Sequence, residues 1–349
     1  MLFGSKKLLG IDIGTSSVKV AEIDVSRKGM TLQRFEVFPT PTAAVASGEI
    51  VESHLIAEVI ADVVGNLKIK RKQVAAGLWG SAVIVKRITI PKMDKSLVAE
   101  QIRWEAEQYI PFDLNEVNLD YHVINEGRKD SDSMDILLVA AQHEQIFKFI
   151  EIVEAAGLNC SLLDVSGFAL ANTFFHNYGA MEGQVIALLN VGANYTNCAI
   201  VENGEVIFCR DIPVGGAIYT SDIQKALGVS FAEAEVHKLS FSRGEAAPED
   251  VASVISSSHE VVCDEILGSF EFFSNTTQGA SISQVYVSGG GSLTPGLVET
   301  LSKSLQLPIE QMNPFFRVTP SKGVTQEKMK MTQVFASVVV GLASRKVGD

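Results

Sequence analysis

Residues 9–22, LGIDIGTSSVKVAE, restrict the fold more than any other stretch, because their pattern occurs twice in the chain. In the first copy an apolar strand carries one carboxylate, Asp12. It turns on Gly14 through Thr15, Ser16 and Ser17 and leaves as a second strand carrying Lys19. Alternation puts Ile11 and Ile13 on one face and Asp12 on the other. Gly14 permits a backbone that larger residues resist, and the small residues after it leave main-chain N–H groups and hydroxyls to converge on an anion. A carboxylate beside such a cradle usually has a cation between itself and a phosphate. The alternative reading is an edge hairpin with a Gly-Ser turn. The second copy is IALLNVGANYTNCAIV, residues 186–201: an offset of 178 sets Asn190 over Asp12, Gly192 over Gly14 and Asn194 over Ser16, with Ala193 inside the turn. Both copies continue as extended hairpins, MTLQRFEVFP and GEVIFCRDIPVGG. Two such units in one chain point to two similar halves facing a shared cleft. Further on, VYVSGGGSLTPGL (285–297) places Gly289, Gly290, Gly291 and Ser292 after a strand, where missing side chains would let a flat ligand lie against the backbone.

At 349 residues the chain suits two domains, and 46% apolar with 20% charged residues is ample core material. A net charge of −12 argues against nucleic acid and against adsorption to anionic lipid. Cys160, Cys198, Cys209 and Cys263 lie far apart without a CxxC and read as reduced packing residues. No secretory signal is visible, and the apolar run Val334–Ala343 is too short to span a bilayer, so the expectation is a soluble cytoplasmic protein. The six histidines are scattered, none at catalytic spacing from a cysteine or acid.

Residues 1–80 read as a first half-domain, with a third strand at 30–38, a helix at 52–66 and a strand at 74–80. From Ser81 the pattern is β-α-β-β-α: a strand ending at Pro91, a helix capped by Asp94 and closed by Pro111, strands at 117–124 and 134–141 around a polar loop at 125–134, and a helix at 142–156 stopped by Gly157. Residues 81–161 are therefore assigned to an inserted subdomain. The main fold resumes at 162–182, and 183–330 form a second half with a helical subdomain at about 217–280, strand and helix at 285–306, and loops at 308–330. The final helix, from Met331, is apolar nearly all round and is expected to be buried between elements.

Hairpin, hairpin and triple glycine, in that order, resemble the two phosphate loops and adenosine motif of the actin-like ATPase superfamily. Within it, GIDIGTSSVKV, QYIPF (108–112), LLDVSGFALAN (162–172) and SGGGSLTPGL are most similar to the PilM family of type IV pilus assembly, and next to the FtsA family. The resemblance implies an α/β actin-like fold: two ribonuclease-H-like half-domains around a nucleotide cleft, with 331–349 returning to the first half. It implies ATP or ADP with Mg²⁺, the metal oriented through water by Asp12 and a phosphate contacted by Lys19, for which a solvated strand lysine is the alternative. The second phosphate loop is then Gly192, Ala193 and Asn194, and the adenosine motif Gly289–Ser292. Asp164 is the candidate catalytic or metal-holding acid opening a connecting helix, and a plain N-cap reads equally well. Glu235 and Lys238 resemble a ribose and adenine contact, against a common surface i,i+3 ion pair. Asn190 departs from the superfamily, which usually places an acid there; an amide adds no charge and is a poor base, so nucleotide binding survives while fast hydrolysis is put in doubt. The family resemblance implies an adaptor that binds its partner in a nucleotide-dependent way. Its partner would be the short cytoplasmic N-terminal tail of PilN, docking between the first half-domain and the inserted subdomain. The PilN/PilO inner-membrane complex and the pilus motors would be reached indirectly, and self-association is a further possibility. The competing readings are an FtsA-like cytoskeletal ATPase, a kinase of the same fold, for which no extra base is visible, and a scaffold without nucleotide.

Overall fold

A computed structural model describes residues 7–27, 29–46, 48–125, 132–277 and 280–348. Residues 126–131 of the expected polar loop lie outside the described residues. In chain order the elements begin with β1 (Leu9–Ile13), β2 (Ser17–Ser26) and β3 (Gly29–Pro39), a minimal pair β4 (Val45–Ala46) and β5 (Glu49–Ile50), helix α1 (Ser53–Asn66) and β6 (Gln73–Leu78). Next come β7 (Val83–Pro91), α2 (Lys95–Tyr109), β8 (Val117–Asn125), β9 (Ser133–Gln142) and α3 (His143–Ala155). These are followed by β10 (Asn159–Val165), α4 (Ser166–Tyr178), β11 (Val185–Val191), β12 (Thr196–Glu202) and β13 (Glu205–Ile212). The chain continues through α5 (Ala217–Leu227), α6 (Phe231–Ser242), α7 (Asp250–Thr276), β14 (Gln284–Ser288), α8 (Leu297–Leu305) and β15 (Ile309–Gln311). It closes with β16 (Val318–Pro320), α9 (Gln326–Thr332) and α10 (Ser337–Ser344).

The two copies build two sheets of one design. The first has the order β10-β6-β1-β2-β3-β16, the second β13-β12-β11-β14-β15. In each, the opening strand pairs antiparallel with the next and parallel with a later one, β1 with β2 and β6, β11 with β12 and β14. β1 is buried along its whole length, as a central strand covered on both faces must be. Leu9, Ile11 and Ile13 meet Ile56 and Ile60 of α1 and Phe149 and Ile152 of α3. The opposite face meets α10, where Gly10 lies so close that a Cβ would stand 2.6 Å from the Val339 carbonyl oxygen. On the second sheet Leu189, Cys198 and Val287 pack on α5, α7 and α8. Its other face, through Ile186, Leu188 and Ala199, packs on Leu170, Ala171 and Phe174 of α4. Helix α4 thus faces the second sheet with one side, while Ala169 joins the core of the first with Val338 and Leu342 of α10.

Several expectations change in detail. The helix expected from Met331 is three pieces, α9, a 3₁₀ turn at Gln333–Phe335 and α10, and every residue of α10 is buried, as its all-round apolarity required. The single helical stretch 217–242 is two helices: Gly228 stops α5 in the left-handed region (φ +66°), and a capping box between Ser230 and Glu233 starts α6. Asp94 occupies the N-cap of α2, but its side chain makes no capping hydrogen bond. The stretch expected as loops contains β16, which adds to β3 and so belongs to the first sheet. β7, β9 and β8 form a separate three-stranded sheet with α2 packed on it through Val98, Ile102 and Ala106. All four cysteines are free; burial pushes the thiols of Cys160 and Cys198 up to about 11 and about 12.

Candidate functional site

The two turns close alike. Gly14 N–H donates to the Ser17 carbonyl at 3.1 Å and Gly192 N–H to the Tyr195 carbonyl at 2.9 Å, the same bond 178 residues apart. A Cβ on Gly14 would stand 3.0 Å from the Ser17 oxygen and 3.1 Å from Lys19 Nζ, and one on Gly192 would stand 2.7 Å from the Tyr195 oxygen. Only glycine fits at 192, and at 14 a side chain would crowd the Ser17 carbonyl and the Lys19 ammonium. The turns also face each other, for Thr15 Oγ1 donates to Asn194 Oδ1 at 2.7 Å. Asp12 and Lys19 are opposite one another across β1 and β2 and form an ion pair at 3.2 Å, both nearly enclosed. A carboxylate, an ammonium and a glycine turn therefore meet at one end of the first sheet. Asp12 and Asp164 share the face of that sheet turned to α10. Asp164 lies opposite Gly77 of β6, and Asp12 follows Ile11, which lies opposite Ala76.

Asp164 is not the cap of α4, whose N-cap is Val165. One carboxylate oxygen accepts from the Val165 N–H at 3.0 Å and the other stands 3.5 Å from Arg345 Nη1, beyond the end of α10. Glu235 and Lys238 do form the i,i+3 pair, at 2.7 Å, but not at the surface. Lys238 is buried, and its ammonium also donates to the Gly216 carbonyl at 3.1 Å and to Thr220 Oγ1 at 2.9 Å. Gly216 N–H in turn reaches the Gly192 carbonyl at 2.9 Å, which ties α6 to the second turn. Close packing by itself gives the triple glycine a structural reason. Cβ atoms on Gly289, Gly290 and Gly291 would meet the Val191 carbonyl, the Phe335 ring and Val191 Cγ1 at 2.3, 2.9 and 2.6 Å. The protein's own atoms demand those glycines, and Ser292 bonds back to the Gly289 carbonyl. Among the described residues no group of three or more His, Cys, Asp or Glu could hold a metal ion. A Mg²⁺ at Asp12 would thus be held mainly by water and ligand oxygens, which its preference for retained waters allows.

Three residues missed by sequence reading, Ser288, Asn197 and Asp211, form a row with Asn190 across the second sheet. Ser288, Asn190, Asn197 and Asp211 lie side by side on β14, β11, β12 and β13. Ser288 Oγ lies 3.3 Å from Asn190 Oδ1, Asn190 Nδ2 donates to Asn197 Oδ1 at 2.9 Å, and Asn197 Nδ2 donates to Asp211 Oδ1 at 2.7 Å. The other Asp211 oxygen accepts from the Gly80 N–H at 2.7 Å, on the crossing from β6 to β7. Burial pushes the Asp211 carboxyl up to about 6, against the two hydrogen bonds that lower it. Beside Gly80, Trp79 Nε1 donates to the Ile13 carbonyl at 2.6 Å and its ring lies 5.5 Å from that of Tyr195. Trp79, Gly80, Ser81, Lys148 and Tyr195 line a cavity of about 120 Å³ between the first sheet, the base of the inserted sheet and the second turn.

That row explains Asn190. A carboxylate there would face Asn197 Oδ1, and turning Asn197 to serve it would set its oxygen against Asp211. Asn190→Asp is therefore expected to destabilise the fold by about 1–3 kcal/mol, because two acids compete for one amide donor. The sign with pH follows: crowding raises one carboxyl's folded pKa, so the loss is largest near pH 8 and shrinks toward pH 5. Melting temperatures of both proteins across that range measure it, and equal losses at both ends would contradict the row.

A family described as type IV pilus assembly protein PilM matches residues 10–347. Cell division protein FtsA of Bacillus subtilis (strain 168) is 22% identical over 250 residues, 65% of this chain and 56% of that protein. This chain therefore spans little more than half of FtsA's length. Among solved structures, a PilM–PilN type IV pilus biogenesis complex superposes with a TM-score of 0.87 at 26% identity, covering 98% of this chain and 99% of that one. Ethanolamine utilization protein EutJ of Carboxydothermus hydrogenoformans gives 0.58 at 15% identity over 96% and 88%. MreB5 of Spiroplasma citri, bound to ADP, gives 0.52 at 11% over 96% and 94%. These last two share the fold alone, and it is the actin-like ATPase fold. The chain belongs to the type IV pilus assembly protein PilM family.

Proposed function

We propose that this protein is a nucleotide-binding adaptor of the type IV pilus inner-membrane assembly platform, whose partner is the cytoplasmic N-terminal tail of PilN. The observation that carries the nucleotide half is the pair of matched glycine turns facing each other beside Lys19 and Asp12. ATP or ADP phosphates would lie between residues 14–17 and 192–194, with Asp12 holding Mg²⁺ through water and Lys19 neutralising phosphate charge. Lys238 and Glu235 would meet the ribose side and Gly289–Ser292 the base. The residues grouped around the two sheets would be the two halves of the cleft, with 81–161 as the inserted subdomain. Asn190, held by Ser288 and Asn197, supplies no base, which supports slow or absent hydrolysis.

The partner half is supported by the likeness to a chain solved with PilN and by the cavity at Trp79, Gly80 and Ser81, at the base of the inserted sheet. Glu49, Gln142, Glu144 and Lys148 share that lining with Trp79 and Tyr195, so an extended peptide would place a polar side chain there, hydrogen-bonded at its tip and resting on the two rings. No helix among the described residues is long and apolar enough to cross a membrane, so membrane attachment would come through the partner. Isothermal titration of the protein with ATP and Mg²⁺, and with a synthetic PilN tail peptide, tests both halves. Ser81→Trp, which fills the cavity mouth, is expected to weaken peptide binding about tenfold or more and leave nucleotide affinity within about twofold. Peptide binding untouched by Ser81→Trp would move the docking site elsewhere. Rapid phosphate release without response to peptide would favour an enzyme.

A further inference from the structure

Asparagine has no fixed orientation in a hydrogen-bonded row, since its amide offers an acceptor at one end and a donor at the other. Asp211 removes the ambiguity. An ionised carboxylate only accepts, and it receives the Gly80 N–H and Asn197 Nδ2. Asn197 must then turn Oδ1 towards β11, Asn190 must answer with Nδ2, and Asn190 Oδ1 is left pointing the other way, towards Ser288. The Ser288 hydroxyl has one hydrogen and a second acceptor in reach, the Leu189 carbonyl at 3.3 Å, so Asn190 Oδ1 keeps a lone pair open. Asn190 retains partial exposure, whereas Asn197 and Ser288 are buried. It sits two residues before the Gly192 turn, and the strand of its other neighbour runs straight into Gly289.

We propose that Asp211 is a positioning residue for the nucleotide site: acting through Asn197, it holds Asn190 with its acceptor oxygen turned away from Asn197, on the Ser288 side that leads into Gly289. The second loop, which lacks an acid of its own, thereby borrows the direction of one two strands away. This rests on the nucleotide reading above and adds the residue that determines which atom of Asn190 a metal-bound water of the nucleotide meets. An Asn190 turned the other way would present an N–H to that cationic assembly, which is repulsive.

The charge can be moved without changing the direction of the row. In Asp211→Asn, one oxygen and one NH₂ confront two incoming donors, so the row loses its orientation. In the double variant Asn197→Asp with Asp211→Asn, the carboxylate moves to position 197. There it accepts from Asn190 Nδ2 and from the new amide at 211, whose oxygen still serves Gly80. Calorimetric titration with ATP and Mg²⁺ is expected to show about tenfold weaker binding for Asp211→Asn, and recovery to within about threefold in the double variant. Melting curves accompany each protein. If folded Asp211→Asn binds as wild type does, or the double variant binds no better than the single, the positioning role is wrong while the nucleotide reading stands. If Asp211→Asn does not fold, the double variant decides alone: binding near wild type supports the role, and a tenfold loss overturns it. Wild-type protein that binds no nucleotide would overturn the reading itself and this inference with it.

Discussion

Asp12→Asn is expected to weaken binding of ATP in the presence of Mg²⁺ by about 30- to 100-fold, the loss of one charge-assisted contact of about 2–3 kcal/mol. The asparagine keeps the volume of a side chain that is 7% exposed and can still accept from Lys19, so the hairpin should survive. What disappears is the negative charge that orients a hydrated cation beside the first turn. Asp12→Ala is the harsher form. It also strips Lys19, nearly enclosed, of its ion-pair partner, and its melting temperature should fall as well. Titration calorimetry on both variants, with the PilN tail peptide as a second ligand, separates the effects: nucleotide affinity drops in both, and peptide affinity measured without nucleotide drops in neither. Wild-type ATP affinity in folded Asp12→Asn would remove Asp12 from the site.

Gly341→Ala should be the most damaging single methyl in the protein's centre. At Gly341 an added Cβ would stand 1.8 Å from the Ala169 carbonyl oxygen and 2.6 Å from its carbon, which are backbone atoms of α4 that no rotamer change can move aside. Helices α4 and α10 approach through this glycine, and α10 is buried throughout, so any separation also opens its contacts with β1 and β6. Overpacking of this kind costs about 3 kcal/mol or more. Gly65→Ala is the matched control, because nothing lies within 4 Å of its added Cβ and the residue is exposed in α1. That change should be neutral or stabilising by up to about 1 kcal/mol through lower chain entropy. Chemical denaturation of the two variants should therefore differ in sign or by several kcal/mol. Equal midpoints would mean that α4 and α10 do not pack as described.

The repeat was legible in sequence because its defining geometry is local. A turn whose first N–H reaches a carbonyl three residues on lies between two apolar strands, and Gly14 and Gly192 hold the same place in it 178 residues apart, although neither adopts the left-handed backbone that the glycine suggested. The burial of α10 was legible too, since a helix apolar on every side has no face for water. The reason for Gly289–Gly291 was not, because it depends on where β11 and the Gln333–Phe335 turn arrive from elsewhere in the chain. For Lys238 the sequence left a nucleotide contact and a surface ion pair both open, and its burial was decided only where α5 and the second turn close over it.

The clearest division lies in β12 and β13. Glu202 stands opposite Glu205, and an unbroken ladder from there (202 + 205 = 407) would set Asn197 against Arg210 (407 − 197 = 210). A register shift at Ile200 and Val201 moves the pairing by one, so that Asp211 meets Asn197. One residue of slip exchanges a cation for an acid and the two faces of the strand with it. Local pattern alone determined two glycine-turned hairpins, a buried last helix and an amide where an acid is usual. Tertiary structure decided which acid stands behind that amide, because a bulge changes partners across a sheet without leaving a mark in the spacing along the chain.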